Sequence, residues 1–537
     1  MAKRSVLETI SLTTAQALVK YLQVQFSERD GETRRLIPGI FGIFGHGNVA
    51  GLSQALVEHG QSLRYYQARN EQSMVHAAAG YAKASHRLST LACASSIGPG
   101  STNMLSGAAL ATINRLPVLL LPADYYATRY QGPVLQQLEH PVSADVSVND
   151  AFRPVSRFFD RIQRPEQLLS ALPEAMRVLT DPAETGAVTL ALPQDVQSHA
   201  WDFPAHFFEK RIWRIERRSP HPERVSEAIR MVARARRPVI IAGGGIHYSQ
   251  AWKELERFSQ RFGIPVGETF AGRGAVRKDS ELLLRGHGVT GTPAAAAVVR
   301  EADLVVCVGT RLTDFTTGSR SAFHPEAQFI NINVCGHDAY KQGALPVIAD
   351  ARETLKVLLK SGKKAGVKPK IGYMKAVRRI KRTWEKRLKQ EVYITRKNEA
   401  MSQGCLIGIL NEQARAGDTV NAAAGAPPGD LHQLWDVTGG KGIHLEFGYS
   451  CMGYEIPAGF GVRMVQPKGE VYVLIGDGTY LMNPSELVTA MQEDLKITVI
   501  ISENHGFQVI RQLQMARVGT SFGNEFRNRH KKSSRLE

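Results

Sequence analysis

The sequence has few cysteines and no long apolar run. Its 537 residues include five cysteines, Cys93, Cys307, Cys335, Cys405 and Cys451, and no two of them form a C-x-x-C pair. This spacing is typical of neither a zinc site nor a disulfide framework, so we expect a reducing compartment and a cytoplasmic location. No stretch approaches the ~18 consecutive apolar residues that cross a bilayer, so we expect no membrane partner.

Acidic side chains are scarce relative to basic ones, with 50 Asp and Glu against 67 Lys and Arg and a net charge of +17. Such an excess, taken over a whole chain, suggests nucleic-acid binding. Here the excess is local, because residues 360–397 hold 15 basic side chains against two glutamates and residues 511–537 hold seven against two. The remainder is near neutral, which makes a nucleic-acid partner unlikely on sequence grounds. An anionic partner for segment 360–397 is the less favoured interpretation.

Short apolar runs followed by glycine-rich turns recur along the chain, with segments of helical period between them. Runs of four to eight apolar residues are typical of strands buried on both faces of a parallel sheet. Their alternation with helices predicts an α/β protein with three doubly wound parallel-sheet domains. The predicted strands are Thr90–Ser95, Pro117–Pro122, Ala187–Pro193, Pro238–Ala242, Leu304–Val308, Phe329–Val334, Val471–Ile475 and Ile497–Ser502.

Composition places the domain boundaries. Residues 1–200 form a first domain, and 200–222 lack a clear period and are interpreted as a linker. A helix from Pro222 to Ala235 opens a second domain at 220–360. A basic linker helix at 361–400 precedes a third domain at 401–537. That linker helix has one apolar stripe on an otherwise cationic surface, made of Val377, Ile380, Trp384, Leu388 and Val392.

The most specific motif spans residues 471–506. A buried strand ends at Gly476, Asp477 and Gly478, a helix begins near Pro484, and a second buried strand ends at Asn504. Both strands end at the same edge of a parallel sheet, so Asp477 and Asn504 are expected to approach each other. Together with backbone carbonyls such as that of Gly506, they form an oxygen shell suited to Mg²⁺ or Ca²⁺ beside a diphosphate.

This spacing, with 25 residues between Gly478 and Asn504, resembles the motif of thiamine-diphosphate enzymes of the acetohydroxyacid synthase type. Residues 63–84, LRYYQARNEQSMVHAAAGYAKA, resemble the family's pyrimidine-binding segment, with Glu71 at the position of the catalytic glutamate. The resemblance implies that Glu71 shares a proton with the aminopyrimidine ring. This role requires a raised pKa for Glu71, and we expect an apolar pocket from Met74, Val75 and Ala77–Ala79.

Further segments carry the same resemblance. The turn IGPGSTN holds Gly98 and Asn103, which the resemblance assigns to the cofactor pocket together with Gly476 and Gly478. Met452, in GYSCMGYEIPAGFG, matches the residue that wedges the cofactor into a bent shape. A core Met on a helix face is the alternative for Met452. The cofactors implied are thiamine diphosphate and Mg²⁺, and the domains become pyrimidine-binding, middle and diphosphate-binding.

Four segments point to one branch of the family, namely FGIFGHGNVAG, PVLQQLEH, HLEFGYSCMGYEIPAG and SFGNEFR. They resemble the inositol-catabolic branch, which implies hydrolysis of a carbon–carbon bond in a cyclic polyhydroxylated 1,2-diketone. A pyruvate-dependent carboligase and a non-catalytic remnant are the alternatives. The resemblance also implies a homodimer or homotetramer, with Glu71 of one subunit facing the diphosphate site of another. The substrate-contacting residues predicted for a polyol ring are His46, Asn48, Gln137, His140 and His444.

Two features depart from the family pattern. The chain ends 31 residues after Gly506, and the match fades after Arg527, which predicts an incomplete third domain in a truncated member. The middle domain carries glycine loops at 242–245 and 308–311, and neither fits G-x-G-x-x-G. We therefore predict a structural middle domain without a nucleotide, although some relatives hold FAD there.

Overall fold

The structure is a computed structural model that describes residues 8–437 and 441–530. The strands are β1 (Thr9–Thr13), β2 (Gln25–Arg29), β3 (Glu32–Arg35), β4 (Gly39–Ile43), β5 (Arg64–Gln67), β6 (Ala92–Ser95), β7 (Val118–Asp124), β8 (Phe158–Arg161), β9 (Ala187–Pro193), β10 (Ala200–Pro204), β11 (Arg211–Arg214), β12 (Pro238–Ala242), β13 (Val266–Glu268), β14 (Leu283–Gly286), β15 (Leu304–Val308), β16 (Gln328–Asn333), β17 (Leu345–Ile348), β18 (Thr419–Ala422), β19 (Gly442–Leu445), β20 (Val471–Gly476) and β21 (Thr498–Ser502).

Helices connect most of these strands. They are α1 (Thr14–Gln23), α2 (Gln54–His59), α3 (Glu71–Ala84), α4 (Pro99–Asn103), α5 (Leu105–Ile113), α6 (Leu168–Thr180), α7 (Pro222–Arg234), α8 (Gly245–Tyr248), α9 (Trp252–Phe262), α10 (Pro293–Arg300), α11 (Asp314–Thr317), α12 (Gly336–Ala339), α13 (Ala351–Lys364), α14 (Ile371–Arg387), α15 (Gln403–Gln413), α16 (Ala426–Leu434), α17 (Glu455–Val465), α18 (Asp477–Met482), α19 (Glu486–Gln492) and α20 (Gln508–Val518). Along the described chain, no helix is both long and apolar enough to cross a membrane.

Three parallel sheets form the framework, which confirms the predicted α/β class. Their strand orders are β5-β4-β6-β7-β9-β8, β14-β13-β12-β15-β16-β17 and β19-β18-β20-β21. The central strands β7, β12 and β15 are buried along their whole length. Each predicted apolar run coincides with a strand to within two residues at either end, because continuous burial on both faces gives these strands a clear sequence signal.

The chain packs into two compact units. The first unit runs to Glu216 and also includes Ile456–Pro467 and Asn483–Ile497. The second unit contains Arg217–Glu455, Lys468–Met482 and the chain from Thr498. The diphosphate-type motif is therefore divided, because α19 belongs to the first unit whereas β20 and β21 belong to the second.

The segment interpreted as a linker, 200–222, contains two short strands. Strand β10 pairs antiparallel with β1, and β11 pairs in parallel with β2. The prediction missed them because each has four or five residues and lies at the edge of a small sheet, where mixed polar and aromatic side chains give a weak alternation.

The basic helix and the two glycine loops belong to the second unit. Helix α14 buries Val377 and Trp384 in the predicted apolar stripe. The glycine loops contact each other, since a Cβ on Gly243 would lie 2.4 Å from the carbonyl oxygen of Gly309. The Gly245 N–H donates to that same carbonyl oxygen at 3.0 Å. Close backbone packing therefore accounts for glycine at these positions.

Candidate active site

Glu71 lies at the start of a helix, with its carboxylate held by an amide. Asn70 caps α3, and its side-chain oxygen accepts a hydrogen bond from Ser73 N at 3.0 Å. Glu71 is half-buried in the first turn, and its Oε2 accepts from Asn103 Nδ2 at 3.0 Å. Met74, Val75 and Ala77–Ala79 are fully buried along the same helix. The structure thus brings together Glu71 and Asn103, two of the predicted cofactor-pocket residues.

The turn before Asn103 has no room for side chains. Gly98 has φ +62°, and a Cβ there would lie 2.0 Å from the carbonyl oxygen of Gln136. A Cβ on Gly100 would lie 3.2 Å from Glu71 Oε1. Glycine is therefore needed at 98 for both conformation and space, and at 100 it lets the turn approach the Glu71 carboxylate.

The second group of predicted residues lies where β20 and β21 end. Asp477 begins α18, and its Oδ2 accepts a hydrogen bond from Gly506 N at 2.9 Å. The Asn504 amide lies 3.2 Å from Asp477 Oδ1 and 2.8 Å from the Gly506 carbonyl oxygen, and it donates to both when its nitrogen faces them. In the opposite orientation, the Asn504 oxygen joins these two oxygens in one cluster.

This cluster fits a hard cation. Carboxylate, amide and carbonyl oxygens are the ligands that Mg²⁺ takes when it also binds a phosphate. No group of three or more His, Cys, Asp or Glu side chains suited to a metal ion occurs in residues 8–437 and 441–530. An oxygen set with a single carboxylate, completed by a diphosphate, is therefore the donor chemistry that this loop offers.

Two glycines beside the oxygen cluster allow residues 507 and 524 to pack closely against it. A Cβ on Gly478 would lie 2.6 Å from the Phe507 ring, and one on Gly506, at φ +131°, would lie 2.1 Å from the Asn524 carbonyl oxygen. Phe507 N donates to Asn524 O at 2.7 Å, and Phe526 N donates to His505 O at 2.9 Å. The segment 524–526 therefore pairs with the 505–507 loop, a role that the motif SFGNEFR did not reveal.

Met452 lies in a turn before α17 and is half-buried, so the alternative of a core Met on a helix face is wrong. Close to it in sequence, Glu455 is fully buried, and its carboxylate accepts from Ala424 N at 2.9 Å and Gly453 N at 3.2 Å. Burial raises the pKa of Glu455 to about 7. The sequence analysis missed Glu455, for which a carboxylate within the apolar run GYEIPAG was the available signal.

The predicted substrate residues differ in how their polar atoms are used. Asn48 is buried, and its amide accepts from Gly45 N and donates to Ser95 O. His140 accepts from Ser143 N through Nδ1 at 3.0 Å. The amide nitrogen and oxygen of Gln137 are both buried without a hydrogen-bond partner in the described chain.

His46 is exposed in the loop after β4. These residues belong to the first unit, whereas His444 is half-buried on β19 in the second. Gln137 is thus the predicted residue with the clearest unsatisfied hydrogen-bonding capacity, because both ends of its amide lack a partner.

Comparison with known proteins identifies the family. A 3D-(3,5/4)-trihydroxycyclohexane-1,2-dione hydrolase 2 of Bacillus cereus is 46% identical over 554 aligned residues, covering 99% of this chain and 86% of the relative. Hydrolases of the same name from Bacillus thuringiensis (strain Al Hakam) and Bacillus anthracis are also 46% identical, over the same shares of each chain. Family models for thiamine pyrophosphate enzymes match as N-terminal TPP binding domain at 35–144, central domain at 225–358 and C-terminal TPP binding domain at 423–534.

The chain belongs to the thiamine pyrophosphate enzymes. Thiamine diphosphate is accordingly its cofactor, as the two TPP-binding domains indicate. The expectation of a truncated member with an incomplete last domain is not borne out, because the C-terminal domain model of thiamine pyrophosphate enzymes matches up to residue 534. That expectation overlooked α20 and the returning segment 524–526, whose hydrogen bonds to the 505–507 loop are long-range and leave no periodic pattern.

Proposed function

We propose that this chain is a thiamine-diphosphate- and Mg²⁺-dependent hydrolase of 3D-(3,5/4)-trihydroxycyclohexane-1,2-dione. It cleaves a carbon–carbon bond of the ring to give 5-deoxy-glucuronate, a step of myo-inositol catabolism. The observation that carries this proposal is the 46% identity, over 99% of the chain, to proteins named as hydrolases of that dione. The presence of Glu71, Asp477 and Asn504 in matching motifs supports it.

Thiamine diphosphate, when bound, supplies a nucleophilic carbon and an electron sink for cleavage beside a carbonyl group. The residues of the chain hold the proton and orient the groups that transfer it. Glu71 holds a proton between its carboxylate and a nitrogen of the aminopyrimidine ring. Asn103 donates to Glu71 Oε2, so Oε1 would be the oxygen available to that nitrogen. Gly98 and Gly100 keep the surrounding turn free of side chains.

The magnesium ligands in this proposal are Asp477, Asn504 and the carbonyl oxygen of Gly506. The convergence of their three oxygens supports the assignment. Gly476 would allow the diphosphate to approach the backbone, since no atom lies within 4 Å of a Cβ built there, and Gly478 makes room for the Phe507 ring beside it. We also assign Met452, in its half-buried turn, to contact with the cofactor.

A ring with three hydroxyl groups requires hydrogen-bonding partners. We assign Gln137 first, because neither end of its buried amide has a partner. His46, His140 and His444 follow, and His140 keeps Nε2 for this role. We assign Asn48 a structural role in place of a substrate contact. Its amide oxygen and nitrogen hold the loop at Gly45 against Ser95.

The assembly, domain boundaries and location belong to the same proposal. The three family matches fall within the predicted domains 1–200, 220–360 and 401–537, which supports this division, with 361–400 as the basic linker. A homodimer or homotetramer is supported by the apolar side chains that α20 exposes, including Leu513 at 50% and Val518 at 68%. The five free cysteines agree with a cytoplasmic location.

The test is an assay of the purified chain on the cyclic dione, with and without thiamine diphosphate and Mg²⁺, and in parallel on pyruvate. We expect the dione to be consumed only when both are present, with 5-deoxy-glucuronate as the product identified by mass spectrometry. Acetolactate from pyruvate with unchanged dione would favour the carboligase alternative. Turnover of neither compound by a protein that binds the cofactor would favour the non-catalytic remnant.

A further inference from the structure

We propose that Glu486 is a positioning residue for the catalytic carboxylate, because it binds the two peptide groups that lead directly into Glu71. Glu486 begins α19 and is fully buried in the first unit. Its Oε1 accepts hydrogen bonds from Arg69 N at 3.0 Å and Asn70 N at 3.1 Å. This inference rests on the proposed role of Glu71 and adds a residue with no motif role in the sequence.

The two peptide N–H groups lie outside the helix that follows them. Asn70 is the N-cap of α3, so its own N–H and that of Arg69 have no partner within the helix. Glu486 supplies one oxygen to both and fixes the two peptide planes before Glu71. These two fixed planes restrict the direction in which the chain enters α3 at Glu71.

Other side chains of α19 hold the same segment less tightly. Arg69 Nη2 donates to Gln492 Oε1 at 2.5 Å, and Arg64 Nη2 pairs with Glu493 Oε2 at 2.7 Å. The Arg64 side chain is 62% exposed, so that ion pair is screened by solvent and weak. Glu486 differs because it is buried, and hydrogen bonds to a charged group are strongest where water is excluded.

Burying a carboxylate costs desolvation free energy. We therefore infer that the Glu486 carboxylate has a specific role as a hydrogen-bond acceptor. Burial raises the pKa of Glu486, whereas the Thr489 side chain and then the N–H groups of Arg69 and Asn70 oppose that rise. A neutral side chain of similar size would fill the space without this cost. The carboxylate therefore contributes what a neutral group contributes less well, namely two firm acceptor interactions at the entry to α3.

Glu486 lies on a helix whose position in the sequence differs from its position in the fold. Helix α19 lies between Asp477 and Asn504 in the sequence, yet it packs within the first unit. Glu486 therefore lies in the sequence between the two predicted metal ligands, although its hydrogen bonds are to Arg69 and Asn70 of the first unit.

The first experiment needs neither cofactor nor substrate. Amide hydrogen exchange of the cofactor-free full chain is followed by mass spectrometry for peptides covering residues 64–75, in wild type, Glu486→Ala, Glu486→Gln and Glu493→Gln. We expect exchange at 69 and 70 to be about 10-fold faster in Glu486→Ala and intermediate in Glu486→Gln, which keeps one acceptor oxygen. Glu493→Gln, at the C-cap of α19, should match wild type at these two positions. Wild-type exchange in a folded Glu486→Ala would overturn the proposal.

The second experiment measures the proton-transfer function of Glu71 in the absence of the dione. Proton–deuterium exchange at the thiazolium carbon of bound thiamine diphosphate is measured by quenched-flow NMR. We expect it to be about 100-fold slower in Glu486→Ala, as for a displacement of about 1 Å, with cofactor affinity within about threefold of wild type. A parallel loss of affinity and exchange, or equal losses in Glu493→Gln, would assign Glu486 a general structural role and reject positioning. Failure on the dione alone would leave both readouts intact and count only against the proposed substrate.

Discussion

Two groups of predicted site residues, one around Glu71 in the first unit and one around Asp477 in the second, satisfy their polar atoms in opposite ways. In the first unit, the Glu71 carboxylate already has a donor in Asn103. In the second unit, oxygens of Asp477, Asn504 and Gly506 face one another, and only a turned amide or a cation satisfies them. The Glu71 carboxylate is therefore already hydrogen-bonded within the protein, whereas the proposed Mg²⁺ would complete the oxygen cluster around Asp477.

The largest effect is expected at Glu71, where substitution should lower turnover without weakening cofactor binding. Glu71→Gln keeps an acceptor for Asn103 but cannot transfer a proton, so turnover should fall by about 10²- to 10⁴-fold. Cofactor affinity, measured by calorimetry with Mg²⁺, should stay within a few-fold of wild type. Glu32→Gln, at an exposed ion pair with Arg34, serves as the control. Equal turnover in Glu71→Gln and wild type would end the catalytic assignment of Glu71.

The next largest effect is expected at Asp477, in the Mg²⁺-dependent binding of the cofactor. Asp477→Ala removes the only carboxylate of the oxygen cluster, so Mg²⁺-dependent binding of thiamine diphosphate should weaken by more than about 100-fold. Loss of a group that merely orients a metal ligand already costs about 10- to 100-fold. Asp202→Ala, at an exposed aspartate on β10, is the matched control. Unchanged calorimetric titrations for Asp477→Ala would contradict the proposed metal site.

A third prediction concerns pH and Glu455 in the second unit. Its pKa is about 7 in the folded protein against an ordinary 4.5, so the folded state keeps a proton that the unfolded chain releases between these values. The contribution to stability is therefore complete below about pH 4.5 and is lost as pH rises through about 7, a change of about 3 kcal/mol.

Denaturant unfolding at pH 5 and pH 8 tests this window. Glu455→Gln cannot ionise, so its free energy of unfolding should change less between the two pH values than that of wild type. Identical pH dependence in the two proteins would show that Glu455 titrates normally. A confirmed slope would mean that the turn carrying Met452 is held most firmly under mildly acidic conditions.

The smallest effect is expected in the free energy of unfolding, for alanine substitutions at two glycines of the first unit. Both glycines have a left-handed backbone conformation. Gly98 has φ +62° with the Gln136 carbonyl oxygen 2.0 Å from a built Cβ, whereas Gly132 has φ +67° and nothing within 4 Å. Gly98→Ala should lower the free energy of unfolding by about 2 kcal/mol and Gly132→Ala by about 1 kcal/mol. Equal losses in thermal unfolding would remove the steric part of this argument.

The sequence predicted what is periodic or local. The continuous apolar runs of the parallel strands gave nearly correct bounds, and the stripe of α14 was found from its spacing. Asp477 and Asn504 were expected to meet because neighbouring parallel strands end at one sheet edge. Glu71 was found by resemblance, but its hydrogen bond with Asn103 was not predicted, since the two are 32 residues apart on different helices.

Long-range contacts of irregular segments were the part that could not be predicted. The pairing of 524–526 with the 505–507 loop depends on backbone groups, which every residue carries. The buried acceptor roles of Glu455 and Glu486 depend on which N–H groups the fold places beside them. Glu455 left one signal, a carboxylate within an apolar run, but neither residue type nor spacing encodes the partners of either glutamate, and Glu486 has no signal of its own.

The interleaving of the two units has a consequence for biosynthesis. Residues up to Glu216 leave the ribosome long before Asn483–Ile497, which completes the same unit. At 5–20 residues per second, the interval is roughly a quarter of a minute to a minute. During that time the peptide groups before Glu71 lack their acceptor on Glu486. The entry to α3 in the nascent first unit is therefore completed only when translation is close to its end.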